Sequence, residues 1–278
     1  MTPILQPEAL IPLLDSGNLV LVDAGNGKDA RDNYNRKHLQ GALFADLNTQ
    51  LADIREDASD GGRHPLPDAE KFSQTLTSLG ISPESHVVIY DDKNGANAAA
   101  RFWWMLRAIG HEKVQVLNGG LREAEKAGVP LRSEKESAQV TGAYPVKKWQ
   151  WPLADIRETE AASGNDYFRI IDVRDRERYL GLTEPLDPVA GHIPGAVNMP
   201  FRDNLDADGR FKAPGTLHAM YKPLFADYAP ANIIVHCGSG VTACHTILAM
   251  NYAGLPVPRL YPGSWSEWCR SGKDMEKN

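Results

Sequence analysis

The chain has 278 residues, of which 42% are hydrophobic and 24% charged, values that fit a globular protein of one large domain or two ordinary ones. Its formal net charge of −6 gives no sign of a basic surface, so nucleic acid is not an expected partner. No run of about 18 apolar residues predicts a membrane span. The first basic residue is Lys28, so neither a signal peptide nor a transit peptide is expected.

The number and positions of the cysteines indicate the redox state of the compartment. There are three of them, an odd number, and all lie after residue 236. This argues against a disulfide scaffold and for a reducing environment, so we expect a cytoplasmic protein.

In chain order, the first half alternates predicted strands and helices. The apolar run "LVLVDAGN" reaches Asp23, "HLQGALFADL" starts at His38, and "HVVIYDD" spans 86–92. The stretch "AAARFWWMLRAIG" has helical length and ends in glycine, a common residue just after a helix. The segment "VLNGGLREAEKAG" follows, and the polar stretch 132–152 with weak periodicity predicts a linker.

The second half repeats this order, which indicates an internal duplication. "FRIIDVRD" reaches Asp172, "HIPGAVNMPF" starts at His192, "NIIVHCG" spans 232–238, and "LYPGSWSEWCRSG" follows the predicted helix "VTACHTILAMNYAG". The β-branched runs "VVIYD" and "IIVHC" have strand length. Because both copies keep the histidine of the paired "H-x-x-G-A" turns, His38 and His192 are expected to be structural.

Alternating strands and helices imply a mostly parallel sheet with helices on both faces. We therefore predict two α/β domains in tandem. The first covers residues 1–131, the linker covers 132–152, and the second domain covers 153–278.

Cys237 is the candidate reactive residue of the second half. It directly follows the strand "IIVH", and ligands of parallel α/β sheets bind beyond the carboxyl ends of the strands. The loop "GSGVT" leads into a helix expected near Thr242, whose first N–H groups lack intrahelical partners and attract anions. Cysteines so placed ionise more readily than free cysteine. The first half has Asp91 near the matching position and no cysteine, so it is predicted to serve as a scaffold.

Several chemistries are open to a thiolate in such a loop. A cysteine phosphatase usually places an arginine six residues after its nucleophile, where this chain has Ala243, so phosphate-ester hydrolysis is disfavoured. A cysteine hydrolase needs a histidine base, but His236 precedes Cys237 on a strand, where adjacent side chains point to opposite faces. A carried persulfide, Cys–S–S⁻, suits amides and small residues best. A metal site of His236, Cys237, Cys244 and His245 matches no ordinary zinc spacing, so no metal is expected.

The motifs resemble those of tandem-domain rhodanese-type sulfurtransferases along nearly the whole chain. They are "VDAG", "HLQGALFADL" and "LNGG" in the first half, and "IIDVRDRERYLG", "GHIPGAVNMPF", "CGSGVTA" and "YPGSWSEW" in the second. The loop "CGSGVTA" is similar to that of the 3-mercaptopyruvate sulfurtransferases, whereas thiosulfate-preferring relatives place cations after the cysteine. The resemblance implies two rhodanese-like domains, of which the second is catalytic.

The resemblance also implies roles for single residues. Arg178 matches the first of two arginines that hold the donor carboxylate, and such a pair can be bidentate. The second arginine falls near Asp187, where this chain has none. Ser239, His64 and Asp46 match a trio that handles protons during breakage of the C–S bond. Without the resemblance, Arg178 would read as a surface charge, Asp46 as a helix or turn cap, and His64 as a surface loop residue.

The expected reaction is a two-step sulfur transfer without a metal or organic cofactor. Cys237 takes sulfur from 3-mercaptopyruvate, releasing pyruvate, and passes it to a thiol acceptor such as thioredoxin or a small thiol, or to cyanide. The persulfide is expected to contact the loop backbone at the segment made of Gly238, Ser239, Gly240, Val241 and Thr242. Two alternatives stay open: thiosulfate:cyanide sulfurtransfer, and a non-catalytic rhodanese-like module with a binding or regulatory role.

Overall fold

The computed structural model describes residues 1–133, 135–146 and 148–277. The chain divides into two compact units. Unit 1 contains Met1–Asp53, Pro67–Gln150 and Ala207–Arg210. Unit 2 contains Ile54–Leu66, Trp151–Asp206 and Phe211–Asn278.

Unit 1 is built on a five-stranded sheet in which every pairing is parallel. The strand order is β1-β6-β5-β2-β4. Strands β3 and β7 form a separate, short antiparallel pair. The strands are β1 (Ile4–Leu5), β2 (Leu19–Gly25), β3 (His38–Leu39), β4 (Leu43–Asp46), β5 (His86–Tyr90), β6 (Val114–Leu117) and β7 (Leu131–Arg132). The helices are α1 (Pro7–Leu10), α2 (Ala30–Arg36), α3 (Leu47–Gln50), α4 (Ala69–Ser78), α5 (Ala98–Ala108) and α6 (Gly120–Lys126), with a 3₁₀ turn at Ile11–Leu13.

Unit 2 repeats the arrangement with a four-stranded parallel sheet, in the order β11-β10-β8-β9. Leu153 adds a parallel bridge to Leu260 outside β11, in the place that β1 takes in unit 1. The strands are β8 (Arg169–Asp172), β9 (Val197–Asn198), β10 (Ile233–His236) and β11 (Arg259–Leu260). The helices are α7 (Ile156–Ala162), α8 (Arg176–Tyr179), α9 (Pro214–Asp227), α10 (Thr242–Tyr252) and α11 (Ser264–Trp268), with 3₁₀ turns at Phe201–Asn204 and Pro230–Asn232.

The two units place the helix that follows the central strand in the same way. Helix α5 in unit 1 and helix α10 in unit 2 are apolar around most of their circumference and almost wholly buried. A helix apolar on all sides is stable only inside a core. Each ends where the sequence places a glycine, Gly110 and Gly254, both with positive φ. The predicted duplication and the predicted fold class of two parallel α/β sheets are therefore confirmed.

The paired histidines have matching environments. His38 stacks on Tyr34 with ring centroids 4.0 Å apart, and its Nδ1 lies 2.7 Å from the Tyr34 carbonyl oxygen. His192 stacks on Tyr179 at 3.9 Å, with Nδ1 2.8 Å from the Tyr179 carbonyl oxygen. Both rings are buried, so each closes its turn in the structural role predicted for it.

The domain boundaries 1–131, 132–152 and 153–278 remain predictions. The compact units follow a different division at one place that matters for the site, because Ile54–Leu66, from the first half of the sequence, belongs to unit 2. Most of the predicted linker, as far as Gln150, is counted with unit 1. Residues 134 and 147 of that linker lie outside the described residues. Across the described residues, no helix is both long and apolar enough to cross a membrane.

Candidate active site

Cys237 lies at the carboxyl end of β10, where the strand passes into a loop. Its side chain is buried, with 2% of the residue exposed. Two hydrogen bonds hold its backbone. The Cys237 N–H donates to Ser264 Oγ at 3.2 Å, and the Cys237 carbonyl accepts from Trp265 N–H at 3.0 Å. The next carbonyl, that of Gly238, accepts from Ser266 N–H at 2.9 Å. The segment that includes α11 therefore fixes the first part of the loop.

The loop after Cys237 presents backbone donors. Helix α10 begins at Thr242, as predicted, and Val241 at its N-cap makes no side-chain capping bond. Among the residues that the structure describes, the N–H groups of Gly238, Ser239, Val241 and Thr242 have no hydrogen-bond acceptor. Unpaired N–H groups at a helix start attract an anion. The loop is therefore chemically suited to a negatively charged sulfur.

The matching loop of unit 1 holds an anion of its own. Asp91 directly follows β5 as Cys237 follows β10. Its Oδ1 accepts from the N–H groups of Lys93 and Gly95 at 2.9 and 2.7 Å, and its Oδ2 accepts from Asn97 and Ala99 at 3.1 and 3.2 Å. In the copy that lacks the cysteine, a carboxylate therefore accepts hydrogen bonds from the backbone N–H groups of the loop.

His64 contacts Ser239 within the loop. The His64 Nδ1 lies 2.7 Å from Ser239 Oγ, although the two residues are 175 positions apart. His64 belongs to Ile54–Leu66, which packs within unit 2. Asp46, the third member of the predicted trio, belongs to unit 1 and caps α3, its Oδ1 accepting from the N–H groups of Asn48 and Thr49. Its part in proton handling stays a prediction.

The segment carrying His64 is fixed by two hydrogen bonds and by a close backbone approach at Gly62. The Gly61 N–H donates to Glu267 Oε1 at 3.0 Å, and the Arg63 N–H donates to Ser266 Oγ at 3.0 Å. Gly62 has φ +80°, and a Cβ there would stand 2.3 Å from the Gly263 carbonyl oxygen. Only glycine permits both this backbone angle and this close approach.

Arg178 is held by a buried carboxylate rather than solvated. Its Nε donates to Glu184 Oε2 at 3.0 Å, and its Nη2 donates to Glu184 Oε1 at 2.7 Å. The Glu184 side chain is 3% exposed and that of Arg178 16%. The reading of Arg178 as a solvated surface charge is therefore wrong, because the arginine has a fixed, partly buried orientation.

Asp187 lies near the position where the resemblance implies a second arginine. Its buried carboxylate accepts from Arg63 Nε and Nη2 at 3.1 and 3.3 Å and from Arg270 Nη1 at 2.7 Å. Arg178 Nη2 lies 3.6 Å from Asp187 Oδ2. A carboxylate surrounded by three guanidinium groups is fully compensated, so its burial is tolerated.

Two of these arginines, Arg63 and Arg178, lie close to Gly238 in the loop after Cys237. A Cβ built on Gly238 would lie 3.0 Å from Arg63 Nη2 and 3.4 Å from Arg178 Nη2. The loop "CGSGVTA" is itself neutral, as the sequence shows, but its surroundings are not. Segments distant in the sequence supply these cations. Arg63 was not among the predicted site residues, and its place next to His64 in "GGRHPLP" was the available signal.

A buried ion pair lies at the end of β8, the strand next to β10. Asp172 ends β8 opposite His236 of β10. Arg174 Nη2 donates to Asp172 Oδ2 at 2.5 Å, and the guanidinium lies over the Trp265 ring with its central carbon 4.6 Å from the ring centroid. Burial would raise the pKa of Asp172, but the charge of Arg174 outweighs it and leaves that pKa below its ordinary value. Burial lowers the pKa of His236, whose Nδ1 lies 3.1 Å from the Cys237 carbonyl oxygen.

The other cysteines and the alternative metal set are engaged elsewhere. Cys244 Sγ donates to the Gly240 carbonyl at 3.3 Å inside α10, and His245 Nδ1 lies 3.2 Å from the Asn204 side-chain nitrogen. Cys269 is buried beside Arg270. Over the described part of the chain, no group of three or more histidine, cysteine or acidic residues is arranged to hold a metal ion.

Gly240 is expected to be indispensable for the shape of the loop. It has φ +72°, and a Cβ there would stand 2.5 Å from the Pro262 carbonyl oxygen, a backbone atom. Gly240→Ala should therefore lower the free energy of unfolding by about 1–3 kcal/mol, measured by urea denaturation. Gly238→Ala is the matched control, because its φ lies outside the left-handed region and its Cβ would come no closer than 3.0 Å to any neighbouring atom; it should cost less than about 1 kcal/mol. Equal losses in the two variants would contradict the argument.

Known proteins similar to this chain place it in a family. The rhodanese-like domain family matches residues 6–127 and again residues 152–271. The chain is 43% identical over 237 residues to a Pseudomonas aeruginosa protein named probable 3-mercaptopyruvate sulfurtransferase, covering 84% of this chain and 82% of that one. It is 38% identical over 250 residues to the thiosulfate sulfurtransferase of Mus musculus, with coverages of 87% and 81%. The solved structure of SseA from Escherichia coli, described as a 3-mercaptopyruvate sulfotransferase with the rhodanese fold, matches with a TM-score of 0.77 at 29% identity, covering 96% of this chain and 100% of that one. The chain therefore belongs to the rhodanese-like family and carries two of its domains in tandem.

Proposed function

We propose that this sulfurtransferase takes sulfur from 3-mercaptopyruvate, carries it as a persulfide on Cys237 and delivers it to a thiol or to cyanide. The observation that carries the choice of donor is the 2.7 Å contact between His64 Nδ1 and Ser239 Oγ beside the cysteine loop. Pyruvate leaves as an enolate that must take up a proton, whereas sulfite leaves thiosulfate as a stable anion. A hydroxyl paired with an imidazole is useful only for the first of these.

The first half-reaction balances without an added oxidant or reductant. The Cys237 thiolate attacks the donor sulfur, an S–S bond forms, and the bond between that sulfur and C3 of the donor breaks. Its electron pair passes to C3 as the enolate of pyruvate. The proton of the donor thiol moves to C3 by way of Ser239 and His64, which leaves Cys–S–S⁻ and pyruvate. The acceptor thiolate then attacks the outer sulfur and restores the Cys237 thiolate.

The loop stabilises the charged intermediate through its backbone. The four N–H groups without acceptors, at Gly238, Ser239, Val241 and Thr242, form the binding site for the persulfide anion, with Gly240 providing the turn between them. The carboxylate that the unit 1 loop wraps is a precedent within the same chain. Preorganised N–H donors of this kind cost no reorganisation during reaction, and no metal or organic cofactor is required.

Arg178 binds the donor carboxylate in this scheme. Among the described residues its Nη1 has no partner, while Glu184 holds the opposite edge of the guanidinium. Arg178→Gln should raise KM for 3-mercaptopyruvate by about tenfold to a hundredfold, with a smaller change in kcat, because a charged hydrogen bond is lost in ground state and transition state alike. Arg176→Gln, an exposed neighbour on α8, should leave KM unchanged. An unchanged KM in Arg178→Gln would remove Arg178 from the substrate site.

Thiosulfate:cyanide sulfurtransfer is the second candidate, favoured by the similarity to the Mus musculus enzyme and by the two arginines over the loop. Release of pyruvate from 3-mercaptopyruvate should be measured beside formation of thiocyanate from thiosulfate and cyanide on the same preparation. A higher kcat/KM for 3-mercaptopyruvate supports the proposal, and a higher value for thiosulfate overturns the choice of donor. The physiological acceptor proposed is thioredoxin or a small thiol. The three free cysteines fit a reducing compartment, and we place the enzyme in the cytoplasm.

A further inference from the structure

Arg63 and Arg178 have the same geometry, although only Arg178 was expected at the substrate site. Each guanidinium uses its Nε and Nη2 edge on a buried carboxylate, Arg63 on Asp187 and Arg178 on Glu184. In the part of the chain that the structure describes, neither Nη1 has a hydrogen-bond partner. Each arginine is therefore held by one edge and has donors left on the other.

The two guanidinium groups converge on one point of the loop. Their Nη2 atoms both lie near Asp187 Oδ2, at 3.3 Å for Arg63 and 3.6 Å for Arg178. Both are also within 3.4 Å of the position that a Cβ would take on Gly238, the residue after the nucleophile. The absence of a side chain at Gly238 leaves this space open. A small anion placed there would face both arginines next to Cys237.

The charges around this point favour an anion. The cluster contains four arginines, Arg63, Arg174, Arg178 and Arg270, and three acidic groups, Asp172, Glu184 and Asp187. The three acidic side chains are at most 3% exposed, whereas that of Arg63 is 25% exposed. The negative charges are therefore buried behind the arginines, and positive charge faces the loop.

We propose that Arg63 is the second carboxylate-binding arginine of the donor site and that Asp187 is the positioning residue that aims it. In place of an arginine near position 187, the chain thus has an aspartate that orients an arginine from 124 residues away in the sequence. Two planar guanidinium groups bind the carboxylate of an α-keto acid from two sides. This inference rests on the proposed function only for the identity of that acid, since the binding of a carboxylate beside Cys237 is tested separately below.

The first test uses alkylation of Cys237 and needs no turnover. Iodoacetate carries a carboxylate and iodoacetamide is its neutral counterpart, so the ratio of their second-order rates at Cys237 reports carboxylate binding beside the sulfur. The site of alkylation is confirmed by peptide mass mapping. Arg63→Gln should lower this ratio by about tenfold or more, and so should Arg178→Gln. Arg202→Gln, whose side chain is 70% exposed, should leave the ratio unchanged.

A second variant separates binding from stability. Arg63→Gln alone leaves the buried Asp187 with fewer partners, so it is expected to lower the melting temperature. The double variant Arg63→Gln/Asp187→Asn removes both charges and keeps a neutral pair of similar shape, so it should melt closer to wild type. It should still show the lowered alkylation ratio. A wild-type ratio in the folded double variant would show that Arg63 only compensates Asp187 and would overturn the proposal.

Steady-state kinetics then tests whether Arg63 and Arg178, together called the clamp, bind the carboxylate of the proposed donor. Arg63→Gln should raise KM for 3-mercaptopyruvate by about tenfold to a hundredfold, with kcat changed much less. If wild type shows a high alkylation ratio that falls in Arg63→Gln but turns over no 3-mercaptopyruvate, the clamp stands and the proposed donor fails. If wild type turns over 3-mercaptopyruvate with the same KM as Arg63→Gln, the donor stands and the clamp fails.

Discussion

Replacing Cys237 with serine is expected to abolish sulfur transfer from every donor while leaving the fold intact. A serine hydroxyl at the end of β10 is not ionised at neutral pH and forms no persulfide, so the first half-reaction has no route. We expect kcat/KM to fall by more than about a thousandfold. The volume change is small and the Cys237 backbone bonds to Ser264 and Trp265 do not involve the side chain, so the melting temperature should stay near that of wild type.

Cys269→Ser provides the matched control, because it makes the same chemical change at a buried cysteine outside the loop. Mass spectrometry of protein treated with 3-mercaptopyruvate alone should detect one added sulfur atom in wild type and in Cys269→Ser. The added sulfur should be missing from Cys237→Ser. Turnover in folded Cys237→Ser, or sulfur loading at another residue, would remove Cys237 from the mechanism and revive the reading of a non-catalytic module.

Cys237 could be singled out from the sequence as the candidate nucleophile because its position follows from local rules. A β-branched run predicts β10, two glycines predict the loop, and an apolar stretch of helical length predicts the start of α10 at Thr242. The duplication provides an internal control. Unit 1 has Asp91 at the matching position, so the same fold forms without a cysteine there, and Cys237 is not required for folding alone. Apart from the duplication, these signals all lie within the single stretch from β10 to the end of α10.

The charges of the site could not be predicted in the same way. Arg63 reaches Asp187 across 124 residues and His64 reaches Ser239 across 175. Such pairs have no periodicity, and they depend on how Ile54–Leu66 packs against the segment around Ser266 and Glu267. From the sequence alone, the region around Asp187 therefore showed only that the expected second arginine was absent. In the structure the same aspartate holds an arginine supplied by the other half of the sequence.

Replacing Arg174 with methionine is expected to produce the largest loss of stability in unit 2. The arginine is almost fully buried and is the direct partner of Asp172, while its Nη1 also reaches Glu184 at 3.4 Å. Methionine fills most of the volume and retains packing on Trp265, but it leaves the Asp172 carboxylate buried without its countercharge. Breaking a buried pair in this way costs about 3–5 kcal/mol at neutral pH. Arg202→Met, which breaks an exposed pair with Asp175, should cost under about 1 kcal/mol.

The pH dependence identifies the cause of that loss. In wild type the pKa of Asp172 is below its ordinary value, so its stabilising contribution is complete above about pH 4 and declines only at lower pH. In Arg174→Met the largest effect that opposes burial is removed and only the smaller effects of His236 and of the residue 174 backbone N–H remain, so burial should raise that pKa above the unfolded value. The native variant then takes up a proton that the unfolded chain does not, so its deficit should shrink as pH falls from 7 towards about 4. His236, whose pKa burial lowers, faces the same carboxylate, so Arg174→Met/His236→Gln separates its contribution. Urea unfolding at pH 7 and pH 5 measures both deficits. A deficit equal at the two pH values would assign the loss to packing on Trp265 rather than to the buried charge.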